Sequence, residues 1–204
     1  MFDKKKKYMR KRKYSTVLLS AFLTAGLICG CGEDASIGEM KEGTSQSGTS
    51  QAAEEAESPA AVSFSGQDME GNIVTSDIFG QSRLTMVNVW ATYCNPCLSE
   101  MPDLGELAGE YDAGDFQLIG IISDVEEGAD EEIMENARTL IEQTGADYPH
   151  LLLNRFLYYS MLKDVTGVPT TFFFDQEGNL LEAVQGAKSK DVWKEKIDGF
   201  LEDM

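Results

Sequence analysis

Basic side chains are scarce in this sequence: 17 lysines and arginines stand against 35 aspartates and glutamates in 204 residues, a net charge of −18. Such a surface repels nucleic acid and anionic lipid, which argues against a polyanion-binding function. Histidine is scarcer still, with His150 alone. A structural zinc site takes four ligands, so one imidazole would leave carboxylates to complete any set begun by a pair of cysteines. No uncharged apolar run reaches the roughly 20 residues of a comfortable transmembrane helix. The longest, Ser15 to Gly30, ends in small residues and cysteines. There are 5 prolines against 19 glycines, and hydrophobic residues make up 42% of the chain. That is enough to bury one ordinary core and too little for two, so the expectation is one domain with appendages.

The ends of the chain differ in character. Lys4 to Lys7 and Arg10 to Lys13 precede the apolar run, the pattern of an export signal spanning residues 1–30. The alternative is a short N-terminal span that is kept. Leu27-Ile28-Cys29-Gly30-Cys31 resembles a bacterial lipobox, with an aliphatic residue three before Cys31 and glycine immediately before it. That resemblance implies cleavage before Cys31, a diacylglycerol on its thiol, and a protein anchored on the extracytoplasmic face of a bacterial cell membrane. Cys29 departs from the pattern, standing where Ala, Ser or Thr is more usual. Of four cysteines, Cys29 then leaves with the signal and Cys31 carries lipid, so only Cys94 and Cys97 remain. The pair is therefore chemistry or metal, because no further cysteines are left to build a disulfide framework. Eight basic residues and one acidic residue leave with the first 30, so the mature chain carries a net charge of about −25.

Residues 31–61 read as the anchor and a flexible tether rich in Gly, Ser, Thr, Gln, Ala and Glu, with too few large apolar residues to offset ordering by burial. Its reach is roughly 25–30 Å. The remaining 62–204 form the domain. Val62 to Phe64 and Ile73 to Thr75 flank a turn at Gly71-Asn72 and suggest a hairpin. Leu84 to Trp90 and Phe116 to Ile122 are compact apolar runs of the kind found in strands buried on both faces. Helical spacing follows each run, in Leu98, Met101, Leu104 and Leu107, and in Glu131 to Thr144 before Gly145. His150 to Leu153 reads as a strand, Phe156 to Asp164 as a helix, Thr170 to Asp175 and Leu180 to Val184 as a hairpin, and Lys190 to Leu201 as a closing helix. This alternation is satisfied by a mixed sheet with helices on both faces, an α/β domain.

Trp90-Ala91-Thr92-Tyr93-Cys94-Asn95-Pro96-Cys97 sets two thiols three residues apart where a buried strand meets a helix. In a first helical turn, residues at this spacing share one side and can close a small disulfide ring, while free amides and the positive helix end stabilise a thiolate. Cys94 is the expected nucleophile and Cys97 the expected resolving thiol. Pro96 suits an opening turn. Pro102 does not suit a helix interior and predicts a bend or a break. Glu100, one turn beyond Cys97, would raise the pKa of nearby thiols and could accept a proton from Cys97.

The run Val87 to Pro102 resembles the active site of the thioredoxin-like disulfide reductases of the TlpA and ResA type. Asp68 to Thr75 resembles their N-terminal hairpin. Gly167-Val168-Pro169-Thr170 to Asp175 resembles their cis-proline loop and following strand. The resemblance covers roughly Val62 to Leu201. It implies a thioredoxin-like three-layer sandwich with a central mixed sheet and an N-terminal β-hairpin extension, and catalysis by Cys94, Cys97 and Glu100. It further implies a substrate surface including Trp90, Tyr93, Val168 and Pro169, with Pro169 cis beside Cys94. No cofactor or metal is needed beyond the redox-active Cys94–Cys97 disulfide. The implied partners are a protein disulfide substrate and a CcdA- or DsbD-like membrane electron donor, serving cytochrome c maturation or a related reductive pathway, with the chain a monomer. Two residues depart from family habit. Asn88 stands where thioredoxin proper has a buried acid, and Tyr93 where Trp is frequent.

Rival readings are weaker. Covalent haem attachment needs histidine after the second cysteine, and Leu98 is there. A peroxidatic Pro-X-X-X-Thr/Ser-X-X-Cys pattern is missing around Cys94, although electron donation to a peroxide-reducing or methionine sulfoxide-reducing partner stays open. A lipoprotein binding module with a static disulfide would gain little stability from so short a ring.

Overall fold

The computed structural model describes residues 61–204. The expected export signal, Cys31 and the expected tether up to residue 60 lie outside the described residues.

Chain order begins with a small antiparallel hairpin, β1 (Ser65–Gln67) and β2 (Ile73–Thr75), followed by a 3-10 helix, Ser76–Gln81. Then come β3 (Leu84–Trp90), α1 (Asn95–Ala108), β4 (Phe116–Glu126), α2 (Glu131–Thr144) and β5 (His150–Leu153). The helical stretch α3 (Arg155–Leu157) runs into a π-helical turn, Tyr158–Leu162. A second hairpin, β6 (Thr170–Asp175) and β7 (Leu180–Gln185), leads to α4 (Lys190–Asp203).

Strands β3 to β7 form one sheet in the order β5-β4-β3-β6-β7, with β3, β4 and β5 parallel and β6 and β7 antiparallel to their neighbours. The central strand β3 is buried along its whole length. Alternation along each strand divides the core in two. Leu84, Met86 and Trp90 of β3 face one cluster with Leu118 and Ile122 of β4, Phe173 of β6, and the apolar stripes of α1, α2 and α4. Val87 and Val89 face the other with Ile119, Ile121, Phe172 and Phe174, covered by Phe64, Phe79, Leu157, Met161 and Leu162.

The hairpin corrects the sequence expectation. Its first strand is Ser65–Gln67, three residues later than Val62–Phe64, and Phe64 instead buries its ring against Phe79. What fixes the register is Asp68. Its carboxylate accepts from the N–H of Glu70 and Asn72 and from the Asn72 side chain at 2.7–3.0 Å, while Gly71 takes a left-handed φ of 87°. The β6–β7 turn repeats this device with the same Asp-X-Glu-Gly-Asn sequence: Asp175 accepts from Glu177 N–H, Asn179 N–H and the Asn179 amide, with Gly178 at φ 81°.

Two further differences concern helices. Expected over Phe156–Asp164, the α-helix is only three residues of α3 followed by the π turn. Helix α1 runs through Pro102 without ending there. Three residues on, Gly105 stands where a Cβ would collide with the carbonyl of Gly145, so α1 and the C-terminal cap of α2 meet backbone to backbone.

Candidate active site

The C-terminal end of β3 delivers the chain into the cysteine loop, and β4 secures that loop. Ser123 Oγ donates to the Trp90 carbonyl at 2.9 Å, and the Asp124 carboxylate accepts from Thr92 N–H at 3.0 and 3.1 Å and from Thr92 Oγ1 at 2.5 Å. Cys94 is the N-cap of α1, in extended conformation, and its sulfur accepts from Cys97 N–H at 3.2 Å. Pro96, in the first turn, gives up an amide that no helical bond would have used. Cys94 and Cys97 are joined in a disulfide, with Cα atoms 5.3 Å apart. Cys94 is 6% exposed and Cys97 is 0% exposed, so only the first sulfur is accessible to a partner.

Across the cysteines lies the loop before β6. The Val168–Pro169 peptide bond is cis, the geometry that the resemblance implied. The Val168 carbonyl oxygen stands 3.6 Å from Cys94 Sγ, and the Pro169 carbonyl accepts from Gly186 N–H at 2.8 Å. Pro169 is buried and Val168 half-buried, while Tyr93 is 75% exposed beside the disulfide. Trp90 departs from the expected substrate surface. It is fully buried, and its indole N–H donates to His150 Nδ1 at 3.1 Å. Its role is to floor the site from within the core, where a substrate cannot touch it.

Glu100 is 3% exposed and held by three donors. Asn88 Nδ2 reaches Oε1 at 3.1 Å, while Lys188 N–H and Trp193 Nε1 reach Oε2 at 3.1 and 3.4 Å. Burial pushes its pKa up, opposed by those hydrogen bonds and by the Lys188 charge. Asn88, fully buried, also donates to Thr171 Oγ1 at 3.1 Å. Its Oδ1 and the Tyr148 hydroxyl have no hydrogen-bond partner among the described residues. Burial, then the Glu100 charge, pushes the Tyr148 phenol up.

His150 packs its ring on Tyr148 at 4.5 Å and over Gly120, leaving no space there for a Cβ. With Nδ1 accepting from Trp90, Nε2 carries the hydrogen and donates to the Ala146 carbonyl at 3.0 Å. Burial holds its pKa down at about 4, so the ring is neutral. Sequence reasoning missed Asp124, His150, Lys188 and Trp193 as parts of this site. Only the pairing of a lone histidine with a tryptophan offered a signal, and nothing in sequence spacing connects them.

The sequence profile of the AhpC/TSA family matches residues 58–183, well over half of the chain. The chain belongs to the AhpC/TSA family. Among curated relatives of this AhpC/TSA protein, the thiol-disulfide oxidoreductase ResA of Bacillus thuringiensis (strain Al Hakam) is 27% identical over 69% of this chain and 74% of its own length. The thiol:disulfide interchange protein HelX of Rhodobacter capsulatus is 27% identical over 58% and 61%. A crystal structure of a thioredoxin-family thiol:disulfide interchange protein from Chlorobium tepidum TLS superposes with a TM-score of 0.58 at 27% identity, covering 69% of this chain and 94% of that one. The fold is thioredoxin-like: a mixed central sheet of five strands flanked by helices, with a separate antiparallel hairpin.

Proposed function

We propose that this thioredoxin-like thiol-disulfide oxidoreductase acts as a membrane-anchored, extracytoplasmic reductant of protein disulfides. The observation that carries the reading is the asymmetry of the Cys94–Cys97 pair, joined at the start of α1 with Cys94 retaining 6% exposure and Cys97 fully covered. The reduced pair supplies the electrons. Cys94 thiolate attacks one sulfur of the substrate disulfide, forming a mixed disulfide and releasing the other sulfur as a thiolate. Cys97 then attacks Cys94 Sγ, so the substrate leaves with both sulfurs reduced and the chain keeps the two-electron oxidised disulfide. Glu100, one helical turn from Cys97 and raised by burial, accepts the proton that Cys97 must lose. The Val168 carbonyl beside Cys94 and exposed Tyr93 frame the surface where an extended substrate chain would lie. A CcdA- or DsbD-like membrane donor would return the electrons, in cytochrome c maturation or a related pathway, with a lipid on Cys31 keeping the monomer close to that donor. This part of the reading rests on the resemblance to the TlpA and ResA type and on the relatives' names.

The test is trapping. Cys97→Ser should accumulate a mixed disulfide through Cys94 in cells, visible as a thiol-sensitive adduct on a non-reducing gel. The absence of an adduct, combined with turnover by Cys94→Ser, would reverse the roles. The direction is read separately: a reduction potential below about −220 mV fits a reductant, and one near about −120 mV fits an oxidant.

A further inference from the structure

Glu100 is not sealed off from water. A cavity of about 310 Å³ opens beside it, walled by Pro96, Ser99 and Asp103 of α1 and by Ala187, Lys188 and Ser189 of the β7–α4 loop. Lys188 reaches this place in two ways. Its main-chain N–H donates to Glu100 Oε2 at 3.1 Å. Its ammonium is clipped to the loop that carries it, donating to the carbonyls of Gln185 at 3.0 Å and Gly186 at 2.9 Å. A lysine fixed by two main-chain carbonyls is a stationary charge. Gly186, left-handed at φ 84°, turns the loop so that one of those carbonyls can serve.

We propose that Lys188 is a positioning residue for Glu100: its ammonium, clipped to the loop that walls the cavity beside the carboxylate, is a fixed counter-charge that stabilises it whenever the proton from Cys97 is passed through the cavity to water. This rests on the reading of Glu100 as proton acceptor. Every other group facing Glu100 is uncharged or acidic. Asn88 comes from β3, Trp193 from α4, and Tyr148 from the loop before β5, while Asp103 on α1 lines the same cavity and works in the opposite sense. Lys188 alone among the described residues around this carboxylate favours its charged state by charge, and that contribution adds to the effect of its N–H.

The experiment follows the Glu100 carboxyl carbon by ¹³C NMR against pH in the oxidised full-length chain purified in detergent, with Glu100→Gln identifying the resonance. Lys188→Gln keeps a donor for the two carbonyls and loses the charge; Lys188→Met is a second neutral variant, and either that retains native far-UV dichroism suffices. The Glu100 midpoint should rise by roughly 0.5–1 pH unit in the neutral variants, as for loss of one nearby, partly screened charge, and return towards wild type in Lys188→Arg. An unmoved midpoint in a folded neutral variant, or a rise that Lys188→Arg fails to reverse, overturns the proposal. The pH profile of mixed-disulfide resolution, compared between wild type and Glu100→Gln, decides the proton role itself. If those profiles coincide, that role falls, while the titration still decides what Lys188 does to the carboxyl.

Discussion

Two buried titratable residues make opposite demands on stability as pH changes. His150 titrates near 6.5 when unfolded and at about 4 when folded. The unfolded chain therefore binds more protons between these values, and stability falls as pH drops from about 6.5 to about 4, by about 3 kcal/mol in total. Glu100 has the reverse sign. Its folded pKa is raised, so the folded chain binds more protons above the ordinary carboxylate range and stability declines as pH rises there. Urea unfolding at a series of pH values should show both slopes. His150→Gln should flatten the acid side and Glu100→Gln the decline above it. Both cysteines were legible in the sequence because three positions of covalent spacing on one helix already dictate their geometry. The residues that control them were not. Asn88, Trp193 and Lys188 reach Glu100 from 12, 93 and 88 positions away, and Trp90 meets His150 across 60. The burial of Trp90 follows from the apolar run Leu84 to Trp90 that it closes, whereas the resemblance set it on the substrate surface; the turn into the site begins only after it.

Elements with a clear apolar run or helical pattern came out where expected: β3, α2 and β6 have the limits that their sequence patterns suggest, and so do the short strands β2 and β5. The first hairpin strand did not. With three residues each, β1 and β2 carry too little alternation to define a register, and the Asp68 side chain supplies it instead. The π turn at Tyr158–Leu162 shifts the period that an amphipathic reading assumes. Gly105 shows the same limit for packing. In the sequence it is a weak spot inside α1, whereas in the fold it admits the Gly145 carbonyl against the helix. Gly105→Ala would gain helix propensity of about 1 kcal/mol, yet should lose more by driving α1 and α2 apart, a net cost of roughly 1–3 kcal/mol. Thermal unfolding against an exposed control, Gly199→Ala in α4, where a Cβ meets nothing within 4 Å, separates the two effects.

At the scale of the molecule, residues 61–204 carry 27 acidic side chains against 8 basic ones. A field of that sign concentrates cations around the domain and thins out anions, over a distance set by ionic strength. The reduced protein should therefore reduce cystamine several-fold faster than oxidised glutathione at low salt, beyond the ratio given by a neutral thiol reagent, and the excess should shrink as salt is added. Equal salt dependence for both would place the acidic surface away from the approach to Cys94. The sheet has a different consequence. Because β3 points alternate side chains into two separate clusters, a methyl group removed from one leaves its cavity on the far side of a hydrogen-bonded wall from the other. Leu104→Ala and Val89→Ala should then be additive in a double-mutant cycle to within about 0.5 kcal/mol. Val168, whose carbonyl lies against Cys94, packs on both clusters. Cycles that pair Val168→Ala with a truncation on either side should show coupling, which makes the cis-proline loop, among the described residues, the place where damage to either half of the interior is felt by the other.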